Sequence, residues 1–165
     1  MGISTFHVAF VFITMRAMLL VASLVSVVIF TGCSDDKPKV LTPNEFADQS
    51  TEFIEKWLND PTFVMSRETS ELFDRSYENM SNEDRVNSMT RLLMNLKQKS
   101  LLDKIMQHPG FITAMADPTV QSVAQLFDDL KNGSQEAAEI AARKIAKTAI
   151  EMIEKMRRGI QQHQV

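Results

Sequence analysis

Cysteine is nearly absent from this chain: Cys33 is the only one in 165 residues. A lone cysteine excludes an intrachain disulfide framework and any multi-cysteine zinc site. Histidine is almost as scarce. Of three, only His108 and His163 lie in the charged part of the chain, and neither has a ligand-type residue three or four positions on. No metal site is expected from them. Glycine is rare too, with Gly110, Gly133 and Gly159 the only ones after Cys33. There is no Gly-rich phosphate loop, no G-x-S-x-G and no H-E-x-x-H. The last aromatic is Phe127, so no basic stripe with interleaved aromatics exists and nucleic acid is not expected as a partner. Asp128 and Asp129 are adjacent, and neighbours on a helix point in different directions. With no paired catalytic side chains, the sequence reads as a non-enzyme that carries no dissociable cofactor.

What the chain does have is unevenly distributed. Residues 1–32 hold 22 apolar residues and one charge, Arg16, while all 21 acids follow Cys33. Residues 17–30 form 14 uncharged, mostly apolar positions, the length of a secretory h-region, with Arg16 just before them. The competing reading is a transmembrane span over residues 8–30, but Arg16 would then sit near its middle, at roughly 2.5–3.5 kcal/mol. Residues 1–14 carry no cationic side chain, whereas a start at Met15 would give Met-Arg-Ala-Met-Leu-Leu. Met15 is therefore the expected initiator.

Phe30-Thr31-Gly32-Cys33, followed at once by Ser34-Asp35-Asp36-Lys37, resembles the lipobox of bacterial lipoproteins. Gly32 and Cys33 match its strongest positions, Thr31 is an accepted variant, and Phe30 stands where leucine is usual. The resemblance implies cleavage between Gly32 and Cys33. It also implies a diacylglyceryl thioether on Cys33 and an acyl chain on the new amino terminus. Several acyl chains together hold a protein on a membrane, where one alone binds reversibly. The mature chain would have 133 residues, with 17 basic and 21 acidic side chains. Serine after the acylated cysteine implies, by the same resemblance, the outer membrane facing the periplasm rather than the inner one.

The rest is punctuated by helix signals. Residues 33–42 read as a lipidated tether, 43–160 as a helical domain and 161–165 as a frayed tail. Thr42-Pro43-Asn44-Glu45 reads as a capping box with proline at the first helical position. Phe46, Phe53, Ile54, Trp57 and Leu58 follow on one face, and Asn59-Asp60-Pro61 ends that helix. A second helix is expected from Arg67 to Met80, with Leu72, Phe73, Tyr77 and Met80 in its stripe. Ser81-Asn82-Glu83-Asp84 opens a third, with Val86, Met89, Leu93 and Leu96, divided at Ser100 from a continuation. His108-Pro109-Gly110 reads as a firm stop. Asp117-Pro118 starts a helix carrying Val120, Val123, Ala124, Phe127 and Leu130, and Asn132-Gly133 ends it with a left-handed glycine. Ser134 caps a last helix over residues 135–158, its buried face Ala138, Ala142, Ile145, Ala149, Met152, Ile153 and Met156. No segment shows a period-2 run. The expected fold is all-α, a single compact bundle of five to six helices.

Two further features bear on partners. Residues 34–130 hold 10 basic and 17 acidic side chains, whereas residues 131–165 hold 7 and 4. The basic end could meet acidic lipid or a partner. Asp60-Pro61-Thr62-Phe63 is echoed by Asp117-Pro118-Thr119-Val120. The stretch from His108 to Leu126 is loosely similar to the Asp-Pro helical modules of co-chaperones and ubiquilins, which imply an apolar groove. Met106, Phe111, Met115 and Phe127 are the candidate groove residues. The combined expectation is a lipid-anchored envelope protein with a helical protein-interaction domain, an accessory or assembly factor of an envelope complex. The alternatives are a helical carrier of an apolar small molecule or lipid, and an exclusion lipoprotein of a mobile element.

Overall fold

The computed structural model describes residues 40–116 and 121–162. The leader with Phe30, Thr31, Gly32 and Cys33, the Asp117-Pro118 start and His163 lie outside the described residues. Within them the protein is all-α: α1 (Pro43–Asn59), α2 (Arg67–Asn79), α3 (Asn82–Gln98), α4 (Leu102–Gln107), α5 (Pro109–Met115), α6 (Gln121–Asn132) and α7 (Gln135–Gln162). No described helix is long and apolar enough to cross a membrane.

The helices begin where short polar side chains satisfy the orphan N–H groups of a first turn. Thr42 Oγ1 accepts from the Glu45 N–H, and the Thr42 N–H donates to Glu45 Oε2 at 2.9 Å, so the capping box is complete. Ser66 accepts from the Thr69 N–H, Ser81 from Asp84 and Ser134 from Ala137.

Hydrogen bonds set the directions of the main helices. Asp48 on α1 meets Arg91 and Asn95 on α3, and Glu55 meets Lys99 one step further along both, so α1 and α3 run parallel. The intervening α2 returns the chain. On α3, Lys97 reaches the α6–α7 junction while Arg85 reaches Glu154, so α3 and α7 are antiparallel. α3 is thus packed between α1 and α7, and α6 lies along α7. The main core is formed by Leu92, Leu93 and Leu96 of α3, Phe127 and Leu130 of α6, and Ala138, Ala142, Ile145 and Ala146 of α7. The alanines keep α7 close to its neighbours, where each larger side chain would hold the helices apart.

A second cluster sits on the other side of α1. Leu41, Phe46, Phe73, Tyr77 and Met80 are buried together, with Phe53, Met65 and Leu72 against them. The Phe46 and Phe73 rings lie 4.9 Å apart, and Phe53 meets Phe73 edge-on at 5.4 Å. Arg85 locks this cluster to the bundle. Its Nε donates to the Tyr77 carbonyl at 3.1 Å, its guanidinium lies 4.5 Å from the Tyr77 ring, and it pairs with Glu154 at 2.8 Å.

The structure departs from the sequence expectations in four places. The helices number seven among the described residues: α4 ends at Gln107 against the expected stop, and a further short helix, α5, starts at once at Pro109, with Gly110 inside its first turn. Gly133 does not have a positive φ. It is glycine for room, since a Cβ there would come within 2.4 Å of the Asp129 carbonyl oxygen. The α6 carbonyls are instead satisfied by a cation from another helix: Lys97 Nζ donates to Leu130, Lys131 and Gly133 oxygens at 2.8, 3.2 and 2.9 Å. The body begins before residue 43, because Leu41, expected outside it, is buried and its N–H donates to Ser76 Oγ at 2.8 Å. Finally, α7 is covered by two helices, so its buried face takes in Ala141, Ala146 and Ile150 beside Ala138, Ala142, Ile145 and Ile153, while Ala149 and Met152, expected on that face, are only half-buried and the Met156 side chain lies outside the described residues; the helix runs on to Gln162.

Lys97→Met removes three charge-assisted bonds at once and leaves the end of α6 uncapped. Urea unfolding should show a loss of about 2 kcal/mol. The Asp48 carboxyl is held below its ordinary value of 3.8, chiefly by the hydrogen bond from Arg91; burial opposes this, and the hydrogen bond from Asn95 and the Arg91 charge add smaller lowering effects. A depressed carboxyl binds fewer protons in the folded chain than in the unfolded one. Its contribution is therefore full above that ordinary value and is lost as pH falls through the lower, folded one. The difference in urea midpoint between wild type and Asp48→Asn should be constant near neutrality and vanish in strong acid.

Candidate functional site

The break between α3 and α6 is where the chain departs most from long regular helices. It starts with a left-handed residue. Ser100 has φ of 57°, the only positive value among the described non-glycine residues. The Leu101 N–H donates to the Leu96 carbonyl at 2.9 Å and the Ser100 N–H to Lys97 at 3.0 Å, the paired bonds of a Schellman ending. Leu96 and Leu101, the two side chains that such an ending brings together, are both buried.

The chain then turns twice in quick succession. His108 ends α4 and caps α5: its Nδ1 accepts from the Gly110 N–H at 3.2 Å, which requires the neutral ring with its proton on Nε2. Trp57, from the last turns of α1, lies against this imidazole with ring centroids 5.1 Å apart. Lys104 Nζ donates to Asn59 Oδ1 at 3.0 Å, tying α4 to the same end of α1. An ion pair between Lys131 and Asp103 joins α4 to the end of α6.

The candidate groove residues are distributed over this surface as follows. Phe127 is 1% exposed and belongs to the core. Phe111 stands edge-on over it, centroids 5.0 Å apart and planes at 84°, and is itself half-buried. Met106 is half-buried against the same core. Met115 ends α5, and its side chain lies outside the described residues. An incoming molecule would therefore meet Met106 and Phe111, with Phe127 beneath them as support. Ile112, the next residue on α5, projects 57% exposed and was not among the sequence candidates. The signal for it was available in principle. An isoleucine one position after Phe111 must face differently on a helix, and only one of the two faces has a core to join.

This surface offers apolar contact. Among the described residues no group of three or more His, Cys, Asp or Glu side chains is placed to hold a metal ion. Asp60 is the clearest acid at this end. Its carboxyl is pulled below the usual range by hydrogen bonds from the Thr62 hydroxyl and then from its N–H, an Asx-type turn that shapes the α1–α2 connection. Asp60-Pro61-Thr62 therefore closes a turn, and helix α2 begins only at Arg67. The chain matches no protein-family model, no curated protein and no solved structure.

The left-handed serine carries a steric cost that glycine would not. Ser100→Gly should raise the unfolding free energy by about 1 kcal/mol, read from urea midpoints, with the helical signal unchanged.

Proposed function

We propose that this protein is a lipid-anchored bacterial envelope lipoprotein whose helical body docks a protein partner, as an accessory or assembly factor of an envelope complex. The observation that carries the reading is Phe30-Thr31-Gly32-Cys33 at the junction between an apolar leader and a charged body with its own core. Cys33 would bear the diacylglyceryl and N-acyl chains. The outer membrane, facing the periplasm, is the compartment we favour.

The geometry of the body supports a division of labour under this reading. Leu41 is pinned to Ser76 beside the first turn of α1, so the seven residues between it and Cys33, eight residue steps, would hold the body within about 27 Å of the membrane. Trp57, His108, Met106, Phe111 and Ile112 lie toward the other end of α1, whose 17 residues extend about 25 Å. The apolar surface then faces away from the bilayer, where a soluble or membrane-bound partner can reach it. Its role is contact, with no catalytic step assigned.

Two measurements test the proposal. Palmitate should label the wild-type protein and not Cys33→Ala, and labelling that persists in the variant would refute the acylation site. Ile112→Asp should leave stability within about 0.5 kcal/mol, because the side chain is exposed. The same variant should lose a partner recovered by crosslinking in intact envelopes, and undiminished crosslinking would overturn the docking surface.

A further inference from the structure

Helix α5 is capped unlike its neighbours. α1, α2, α3 and α7 each begin on a hydroxyl oxygen, from Thr42, Ser66, Ser81 and Ser134. Such an oxygen keeps its lone pairs throughout the range in which histidine titrates. α5 begins instead on a ring nitrogen. His108 has the extended backbone that an N-cap and a residue before proline both need, with φ −66° and ψ 130°. Pro109 has no N–H, and the Phe111 and Ile112 N–H groups both reach the His108 carbonyl. That leaves the Gly110 N–H, which donates to His108 Nδ1 at 3.2 Å.

This bond exists only while the ring is neutral. Histidine takes up a second ring proton between about pH 8 and 5. Both ring nitrogens then carry hydrogen and neither accepts. The Gly110 N–H would face a donor, with a positive charge at the positive end of α5. Little else holds this helix. It has seven residues and no acid in its first turn, and a helix so short does not persist alone. Of its described side chains, Phe111 is the one packed against the core. The charged ring has another contact at hand, because the Trp57 indole lies 5.1 Å away between centroids, within reach of a cation–π interaction. The ionisable groups of the surrounding helices have other partners. On α1, Glu55 meets Lys99 with Glu52 near the same ammonium, Lys56 lies over the Phe53 ring, and Asp60 accepts from Thr62. On α4, Lys104 donates to Asn59, and Asp103 pairs with Lys131 of α6. On α6, Asp129 accepts from Gln125 and Asp128 is exposed to solvent. α5 carries no ionisable side chain.

We infer that the α4–α5 corner is an acid-sensitive switch: a second proton on His108 uncaps α5, shifts the ring toward Trp57 and withdraws the face that presents Phe111 and Ile112. The purpose of the switch rests on the docking surface proposed above, whereas the uncapping rests on the geometry of the corner alone. A partner bound to the formed α5 favours the neutral ring, and by linkage a proton on the ring favours release of the partner. Mild acid would therefore free a partner that neutral pH holds.

The test is amide hydrogen exchange of the full chain, extracted in detergent and measured at about pH 7.5 and pH 5, with each rate corrected for intrinsic exchange. Loss of an N-cap shifts a helix-opening equilibrium by roughly fivefold. Protection across Phe111–Met115 should fall by about that factor in acid, while protection across Leu92–Leu96 of α3 stays level. Asparagine caps without titrating, so His108→Asn should keep α5 protected at both pH values. His108→Ala should leave it unprotected at both. Trp57 is the only tryptophan, and its emission should fall in acid as the charged ring quenches it, but not in His108→Asn. Equal α5 protection at the two pH values, an equal acid loss in His108→Asn, or a loss that extends through α3 would overturn the inference. In intact envelopes, a partner crosslinked at neutral pH should be lost in acid from wild type and kept by His108→Asn, and retention by wild type also counts against the switch. If no partner is recovered at either pH, the docking reading falls by itself, and exchange still decides whether α5 uncaps.

Discussion

Burial of α3 on nearly all sides is the constraint from which the rest of the body follows. Eight of its 17 residues are buried, and they include Ser88 and Thr90 as well as the leucines and methionines. A helix so enclosed must be covered by several others at once. α1 covers it in parallel and α7 covers it antiparallel. Its long polar side chains escape at the edges, and each ties down a neighbour. Arg85 holds the end of α2 and Glu154 of α7, Arg91 and Asn95 hold Asp48 of α1, and Lys97 closes the end of α6. The apolar atoms of α3 hold the bundle together, while its polar atoms set the register of each helix against it.

These ties differ in weight. The Arg91–Asp48 and Lys99–Glu55 pairs lie about half in water, where solvent screens most of their attraction. The Lys99 ammonium is held protonated above its ordinary range mainly by the hydrogen bond to Glu55, which marks a real contact without making it a large one. Arg85 and Lys97 are different because they satisfy backbone carbonyls that would otherwise be left at helix ends. Arg85 also stacks on Tyr77, so removing it would open the aromatic cluster that holds Leu41.

The two ends of the bundle are consequently unlike. One gathers Leu41, the starts of α1 and α3 and Glu154 of α7. The other gathers the short helices, with Trp57 against His108, Phe111 over Phe127 and Ile112 in solvent. Under the proposed anchoring this polarity separates attachment from recognition. It also explains why α4 and α5 are short. Two turns within ten residues bring Leu102, Met106 and Phe111 onto the end of the core while leaving the next side chain, Ile112, outside it.

Capping was legible in the sequence because it is local. Thr42 with Glu45, Ser81 with Asp84 and Ser134 with Ala137 each act within four residues, and the pattern alone specifies the geometry. The stripes of α1, α2 and α3 were legible for the same reason, since helical periodicity shows which residues share a face. The apolar leader and the residues around Cys33 are likewise a statement the sequence makes unaided. The end of α6 was not legible, because its cap is Lys97, 33 residues away, and the glycine there serves clearance. Nor was the exposure of Ile112 against the burial of Phe127, or the extra buried alanines of α7. Those depend on which helices come to lie beside one another, and packing between distant segments is decided by shape and burial across the whole core, which no short window of sequence contains.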